Sequence, residues 1–206
     1  MQTDPCIWAI HNRIKLMGGT VFTLDGCRYI GEIMRDEARH IVVMKGTQAR
    51  ITTLFMLRAI HSLIYRKYPK GVIYYFPTEK DVEEFSKTRF GPLISDNPCI
   101  RKVVNRTKTN SVFIKRVGDA MLSLKGGSAT RDLEGKKDSG AVRSTPADEV
   151  IRDERCSFNA IIAKMTVDRL LDSDYKKEVD LGSPTVTDFG TSKVFGKSDQ
   201  KFHLIK

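Results

Sequence analysis

Residues 40–57, His-Ile-Val-Val-Met-Lys-Gly-Thr-Gln-Ala-Arg-Ile-Thr-Thr-Leu-Phe-Met-Leu, constrain the fold more than any other stretch of the chain. Ile41 to Met44 is a short apolar run of the kind that forms a buried strand. Further on, Leu54, Leu57, Ile60, His61 and Ile64 recur at spacings of three and four, the period of a helix with one buried face. Between them lies a polar bend, Lys45-Gly46-Thr47-Gln48-Ala49-Arg50-Ile51-Thr52, followed by Thr53. A strand, a tight polar turn and a helix with Thr in its first turn form the layout of a phosphate cradle. Unpaired N–H groups at the helix start point at the anion, and a hydroxyl can reach its Mg²⁺.

The bend departs from the usual Gly-x-x-x-x-Gly-Lys-Ser/Thr pattern. Aligned on Thr52, the first Gly of that pattern falls on Lys45, the second on Arg50 and the Lys on Ile51. The bend alone leaves two readings open: a nucleotide loop, or an ordinary strand–loop–helix with a solvated Lys and Arg. A second stretch bears on the choice. Asp148-Glu149-Val150-Ile151-Arg152-Asp153-Glu154 is a β-branched run ending in adjacent carboxylates. In ATPases with a phosphate loop, such a strand delivers an Asp to the Mg²⁺ shell and a Glu that polarises the attacking water. The separation of Thr52 from Asp153 leaves room for the intervening strands and helices of a parallel sheet.

Three stretches in this order resemble the ATPase half of tailed-phage terminase large subunits, the motors that pump viral DNA into preformed capsids. They are Lys-Gly-Thr-Gln-x-x-x-Thr-Thr from Lys45, Gly-Val-Ile-Tyr-Tyr-Phe-Pro-Thr-Glu-Lys-Asp-Val at 71–82, and Arg-Ser-Thr-Pro-Ala-Asp-Glu-Val-Ile-Arg-Asp-Glu at 143–154. In that family the loop is often irregular and its Lys can sit at the start, as Lys45 does here. Gly182-Ser183-Pro184-Thr185 is similar to the family's Ser/Thr-rich coupling segment. The resemblance runs from about Asp4 to Gln200.

The resemblance implies an α/β fold of the P-loop NTPase kind, a mainly parallel sheet with helices on both faces, that uses ATP and Mg²⁺. Residues 1–39 would form an adenine-side segment, 40–188 the ATPase core, and 189–206 the start of a linker to a nuclease domain that this sequence does not supply. Loop residues Lys45, Gly46, Thr47, Gln48, Ala49, Arg50, Ile51, Thr52 and Thr53 would hold ATP, with Lys45 on phosphate and Arg50 as a supplement or sensor. Arg28 and Tyr29 would meet the adenine. Thr52 and Asp153 would hold Mg²⁺, and Glu154 would activate water. Ser183, Pro184 and Thr185 would couple phosphate loss to DNA grip, and Arg131 and Arg143 are arginine-finger candidates. The implied partners are double-stranded DNA, the portal and procapsid, the small terminase subunit and further copies of the chain, in the host cytoplasm. A binding domain that keeps the fold but has lost turnover, favoured by Arg50-Ile51 and opposed by the intact Asp153-Glu154 pair, and a helicase-like ATPase stay open as alternatives. Arg155 beside Glu154 also departs from the family, which usually has another acid there.

Composition agrees with a folded, polyanion-binding chain. Forty per cent of the 206 residues are hydrophobic, and the formal net charge is +10. Arg101, Lys102, Arg106, Lys108, Lys115 and Arg116 crowd around a strand-like Ser111–Ile114, a surface that could face DNA phosphates or simply solvent. Cys6, Cys27, Cys99 and Cys156 stand too far apart for a zinc site or a disulfide framework. No run approaches the roughly 18–20 apolar residues of a membrane span. Elsewhere, 71–76 reads as a strand and Thr78 as the cap of a helix reaching about Arg89. Residues 117–143 read as loop with a short helix near Ala129 to Leu133, and Phe158 to Leu171 as a helix. Residues 172–180 read as a polar connection.

Overall fold

The structure is a computed structural model and describes residues 4–46, 49–104, 111–127, 145–158, 160–184 and 189–202. Helix α1 (Pro5–His11) begins with Pro at its first position and with the Asp4 carboxylate accepting from the backbone N–H of Cys6 and Ile7. Helix α2 (Arg28–Arg35) follows, then strand β1 (His40–Met44) and the long helix α3 (Ile51–Ile64). Strand β2 (Val72–Phe76) leads into α4 (Glu79–Phe85) through a capping box. There the Thr78 hydroxyl accepts from Asp81 N–H while the Asp81 carboxylate accepts from Thr78 N–H.

Six strands form one sheet in the order β1-β6-β5-β2-β4-β3. Its further members are β3 (Ile114–Val117), β4 (Ala120–Gly126), β5 (Glu149–Arg152) and β6 (Lys177–Gly182). All neighbours run parallel except β3 and β4, which are antiparallel. The central β2 is buried along its whole length, which explains its unbroken apolar sequence. Helix α3 covers one face: Leu54, Leu57 and Ile60 are almost fully buried in one cluster with Tyr74, Leu124 and Val179. Full burial of each such aliphatic side chain stabilises by roughly 1.5–3 kcal/mol. The other face carries α7 (Ala160–Val167), whose Ile162 packs with Ile73, Tyr75 and Val150, and α8 (Gly190–Phe195), which lies on β1. The mainly parallel sheet with helices on both faces is the architecture expected from the sequence. No helix among the described residues is long and apolar enough to cross a membrane.

Four expectations are corrected. The helix after Thr78 does not stop before Gly91-Pro92. A π-helical turn, Ser86–Phe90, lets Gly91 N–H reach the Ser86 carbonyl, and α5 (Gly91–Asp96) continues with Pro92 in its first turn, where a missing N–H costs nothing. Helix α6 (Pro98–Val103) follows. The supposed loop beginning at 117 contains β4, whose Leu122 and Leu124 are buried between β2 and β3. At its end, Gly126 is required by packing, because a Cβ there would sit 2.5 Å from Glu79 N. The strand expected at Ser111–Ile114 lies at Ile114–Val117 instead. The polar connection 172–180 ends in β6, an interior strand whose Glu178 and Asp180 are paired across the sheet, as described below, while the Lys177 ammonium donates to the Asp36 and Ala38 carbonyls. The helix expected near Ala129 to Leu133 lies outside the described residues.

Candidate active site

Strands β1, β6 and β5 are parallel, so their C-terminal ends lie along one edge, with Met44 beside Gly182 and Arg152 beside Asp180. That edge is where open α/β sheets hold ligands. Lys45 continues β1 by one residue, donating its N–H to the Gly182 carbonyl at 3.0 Å. Asp153 continues β5 in the same way, donating to the Tyr75 carbonyl at 2.9 Å. Both side chains therefore leave the ends of hydrogen-bonded strands and have little freedom to wander.

They meet. Lys45 Nζ lies 2.6 Å from Asp153 Oδ1, 3.0 Å from Glu154 Oε1 and 2.9 Å from Thr52 Oγ1. Burial works against the Lys45 ammonium, but the two carboxylates outweigh it and hold its pKa above the usual lysine value. Asp153 is 3% exposed, and its Oδ1 also accepts from Glu154 N–H at 3.0 Å. Its Oδ2 faces the Tyr74 hydroxyl at 3.2 Å. Burial and the neighbouring Asp153 push the Tyr74 phenol well above its ordinary pKa, so it remains a donor. The Tyr74 ring is fixed by stacking on Phe76, with centroids 4.9 Å apart.

The backbone of the two key turns is unusual. Arg50, just before α3, has φ +58°, and Glu154 has φ +52°. Arg50 occupies the position where the usual loop has its second Gly, and it adopts the left-handed conformation that glycine takes without steric cost. Ile51, at the place of the usual Lys, is buried in the core. Glu154 is turned back toward Lys45 while its side chain stays half exposed.

Behind Asp153, on the opposite face of the sheet, lies a buried ionic network. Arg152 Nε and Nη2 meet Asp180 Oδ1 and Oδ2 at 2.6 and 3.0 Å, and Nη2 also meets Glu178 at 2.8 Å. Thr166 Oγ1 accepts from Arg152 Nη1 at 2.9 Å. His40 Nε2 and Arg155 Nε approach Asp180 at 2.9 and 3.3 Å. Burial alone would raise the Asp180 pKa; the His40 hydrogen bond and the two guanidinium groups more than offset this and bring it down to about 2.

A cavity of about 600 Å³ opens beside this cluster along the free edge of β1, within the roughly 300–1,000 Å³ usual for small-molecule sites. Tyr29, Ile33, Val43, Lys45, Gly46 and Ala49 line it. Phe195 and Phe202 line it from the C-terminal side, their rings edge to face at 5.5 Å. Arg28, Arg50, Thr52 and Thr53 are not part of its wall; Thr53 is half-buried on α3. The Ser183 carbonyl accepts from Cys156 Sγ at 3.2 Å, beside the turn that carries Glu154, and Pro184 follows it. Thr47, Gln48, Arg131, Arg143 and Thr185 lie outside the described residues, as do Arg106 and Lys108.

Of the proposed DNA-facing cations, Lys115 is withdrawn from the surface. It is 7% exposed, bonds to the Ser111 carbonyl and stands over the Phe90 ring, and burial lowers its pKa. Residues the sequence reading passed over include Tyr74, Asp180, Phe195 and Phe202. Tyr74 was visible only as part of an apolar strand, and Asp180 only as one charge in a polar stretch.

A mainly parallel sheet whose strand ends bring a Lys, a helix-start Thr and an Asp-Glu pair to one point has the layout of a nucleotide-binding ATPase. The family model for phage terminase large subunit gpA, ATPase domain, matches residues 29–203, and the chain belongs to that family. Its fold is also that of two solved structures. The large terminase of bacteriophage HK97 superposes with a TM-score of 0.68 at 11% identity, covering 95% of this chain and 40% of that one. The large terminase ATPase domain of Thermus phage P74-26 gives 0.55 at 16% identity, over 84% of this chain and 69% of that one. The chain thus spans well under half of the HK97 protein. No curated protein matches it in sequence.

Proposed function

We propose that this domain hydrolyses ATP to drive double-stranded DNA into a procapsid in the host cytoplasm, assembled in several copies with the portal and the small terminase subunit. The observation that carries the reading is the convergence of Thr52 Oγ1, Asp153 Oδ1 and Glu154 Oε1 on Lys45 Nζ. Lys45 takes the role of the phosphate-binding lysine from the start of the loop, since Ile51 has no charge to offer. Thr52 and Asp153 supply the hard oxygen donors that suit Mg²⁺ bound chiefly through substrate phosphates. When bound, the ion neutralises charge on the transferring phosphoryl group.

Glu154 is the base. Its half-exposed carboxylate lies within 3.0 Å of the lysine that marks the phosphate end of the site, so it can orient a water and take its proton. Tyr74 holds Asp153 by its second oxygen. Ser183, whose carbonyl accepts from Cys156 beside the turn of Glu154, would pass phosphate loss onward together with Pro184 and Thr185. Tyr29 and the phenylalanine pair offer rings for the base, and Arg143 or Arg131 would serve a neighbouring copy.

Glu154→Gln tests this. Steady-state turnover should fall by about 100-fold or more while nucleotide affinity stays within a fewfold of wild type. Unchanged turnover would refute the assignment.

A further inference from the structure

A second polar cavity, of about 260 Å³, lies between α1, α2 and α3. Most of α3 is apolar, yet Arg58, His61, Ser62 and Tyr65, at spacings of three and four, turn a polar stripe into this cavity. Arg58 is 2% exposed, and neither Nη1 nor Nη2 has a hydrogen-bond partner among the described residues. A guanidinium is a fork of donors that is costly to bury unmatched, and bidentate oxyanions fit it best. Two more cations stand at the rim, Arg35 and Lys67. The acids on the wall are already engaged: Asp4 with Arg35, and Glu37 with Lys67 at 2.6 Å. Buried Glu149, its own oxygens unpartnered and its pKa raised by burial, faces Arg58 from the sheet side, and the Tyr68 hydroxyl also interacts with Arg58, so the cavity-facing donors of the fork are what a ligand would meet.

We infer that this cavity is a binding site for a small tetrahedral oxyanion of the phosphate class, separate from the nucleotide site. The Arg58 guanidinium grips two of its oxygens, the Ser62 and Tyr65 hydroxyls lie on the same wall, and Lys67 and Arg35, each paired with an acid, offer only further N–H donors from the rim. Each water takes roughly 30 Å³ of liquid volume, so a cavity of about 260 Å³ has room for a phosphate with several waters. Asp4 with Arg35 ties the start of α1 to the end of α2, and Glu37 with Lys67 ties the turn after α2 to the turn after α3, so the site can form without rearrangement. Its occupant would join the N-terminal helices to the helix that begins at the phosphate loop.

The chain offers its own probe. Trp8, its one tryptophan, meets the His61 ring edge-on at 5.4 Å beside the cavity. Titration with inorganic phosphate at constant ionic strength should give a saturable change in tryptophan emission, reproduced by sulfate but not by chloride or acetate. Arg58→Gln should weaken that response by at least tenfold, and Ser62→Ala severalfold. Lys45→Ala, which strikes the nucleotide site, should leave it unchanged. Ser62→Ala is a small change on a buried helix, so it carries the test if Arg58→Gln fails to fold. Absence of saturation in the wild type would overturn the proposal. So would an equal response to acetate, a response lost with Lys45→Ala, or one indifferent to both Arg58→Gln and Ser62→Ala.

Discussion

Replacing Asp180 by Asn removes one charge from the ionic network that joins β5 to β6 while keeping the side chain's shape. The Asp180 and Arg152 side chains are 2% and 3% exposed, so water cannot compensate for the loss. Breaking a buried ion pair from one side costs about 3–5 kcal/mol. Arg152 retains Glu178 and Thr166 as acceptors, which places the expected cost near the lower limit, about 3 kcal/mol. At about 2–4 °C per kcal/mol for a chain of this size, the melting temperature should fall by about 6–12 °C. The pH dependence supplies a second check. The Asp180 carboxyl titrates near 2 in the fold against 3.8 for an ordinary Asp. A carboxylate with a depressed pKa stabilises fully above its unfolded value and loses that contribution as pH falls through the folded one. The protonation-linked part, about 2–3 kcal/mol at pH 7, should therefore drop by roughly half at pH 3. Circular dichroism melts of both proteins at pH 7 and pH 3 measure it. A difference below about 1 °C at pH 7, or a gap that widens on acidification, would refute the reasoning.

Lys45→Ala should weaken ATP binding or turnover more than Arg50→Ala, because only Lys45 reaches the carboxylate pair; the reverse order in a nucleotide-binding assay would make Arg50 the phosphate ligand. Tyr74→Phe removes one donor from Asp153, which should cost about 1 kcal/mol of stability and lower turnover severalfold, as read by thermal unfolding and steady-state kinetics. Binding to duplex DNA should fall steeply between about 50 and 200 mM salt and depend little on sequence, as expected when cations displace counterions from phosphates; a flat salt profile in an anisotropy titration would count against direct DNA contact.

The strand–turn–helix around Lys45 was legible because its signals are local, whereas the parallel sheet with helices on both faces followed from the resemblance carried by the ordered stretches. Ile41–Met44, Val72–Phe76 and Val150–Ile151 are apolar runs next to polar turns, and the periodicity of α3 is strong. β4 was hidden because Ala120–Gly126 borders a Gly- and Ser-rich segment whose composition outweighed the short apolar run. β6 was hidden for a different reason. Lys177, Glu178 and Asp180 look like a solvated stretch, and only their partners make them interior residues: Arg152 on β5 and His40 on β1 for the acids, and the Asp36 and Ala38 carbonyls for Lys177. At the site, the paired carboxylates could be read from their order along the chain. The hydroxyl of Tyr74 on Asp153 could not, since strand alternation shows which face a residue takes but not which hydroxyl it meets. The left-handed Arg50 could have been suspected: the alignment put a non-glycine where the turn needs positive φ.

The order of the strands has a consequence for how the chain reaches this shape during synthesis. Among the described residues β1 has a single strand partner, β6, and Ile41 waits for Val179 before its ladder can close. The hairpin of β3 and β4 closes locally, and β2 can join β4 and β5 while the rest of the chain is still being made. Pairings so distant in sequence close slowly, because a large loop must be ordered before any contact compensates for it. The strand that leads into Lys45 is therefore made before the other five, and its ladder waits for β6. Until residues 177–182 pair with it, no strand ladder joins the lysine to the acidic pair.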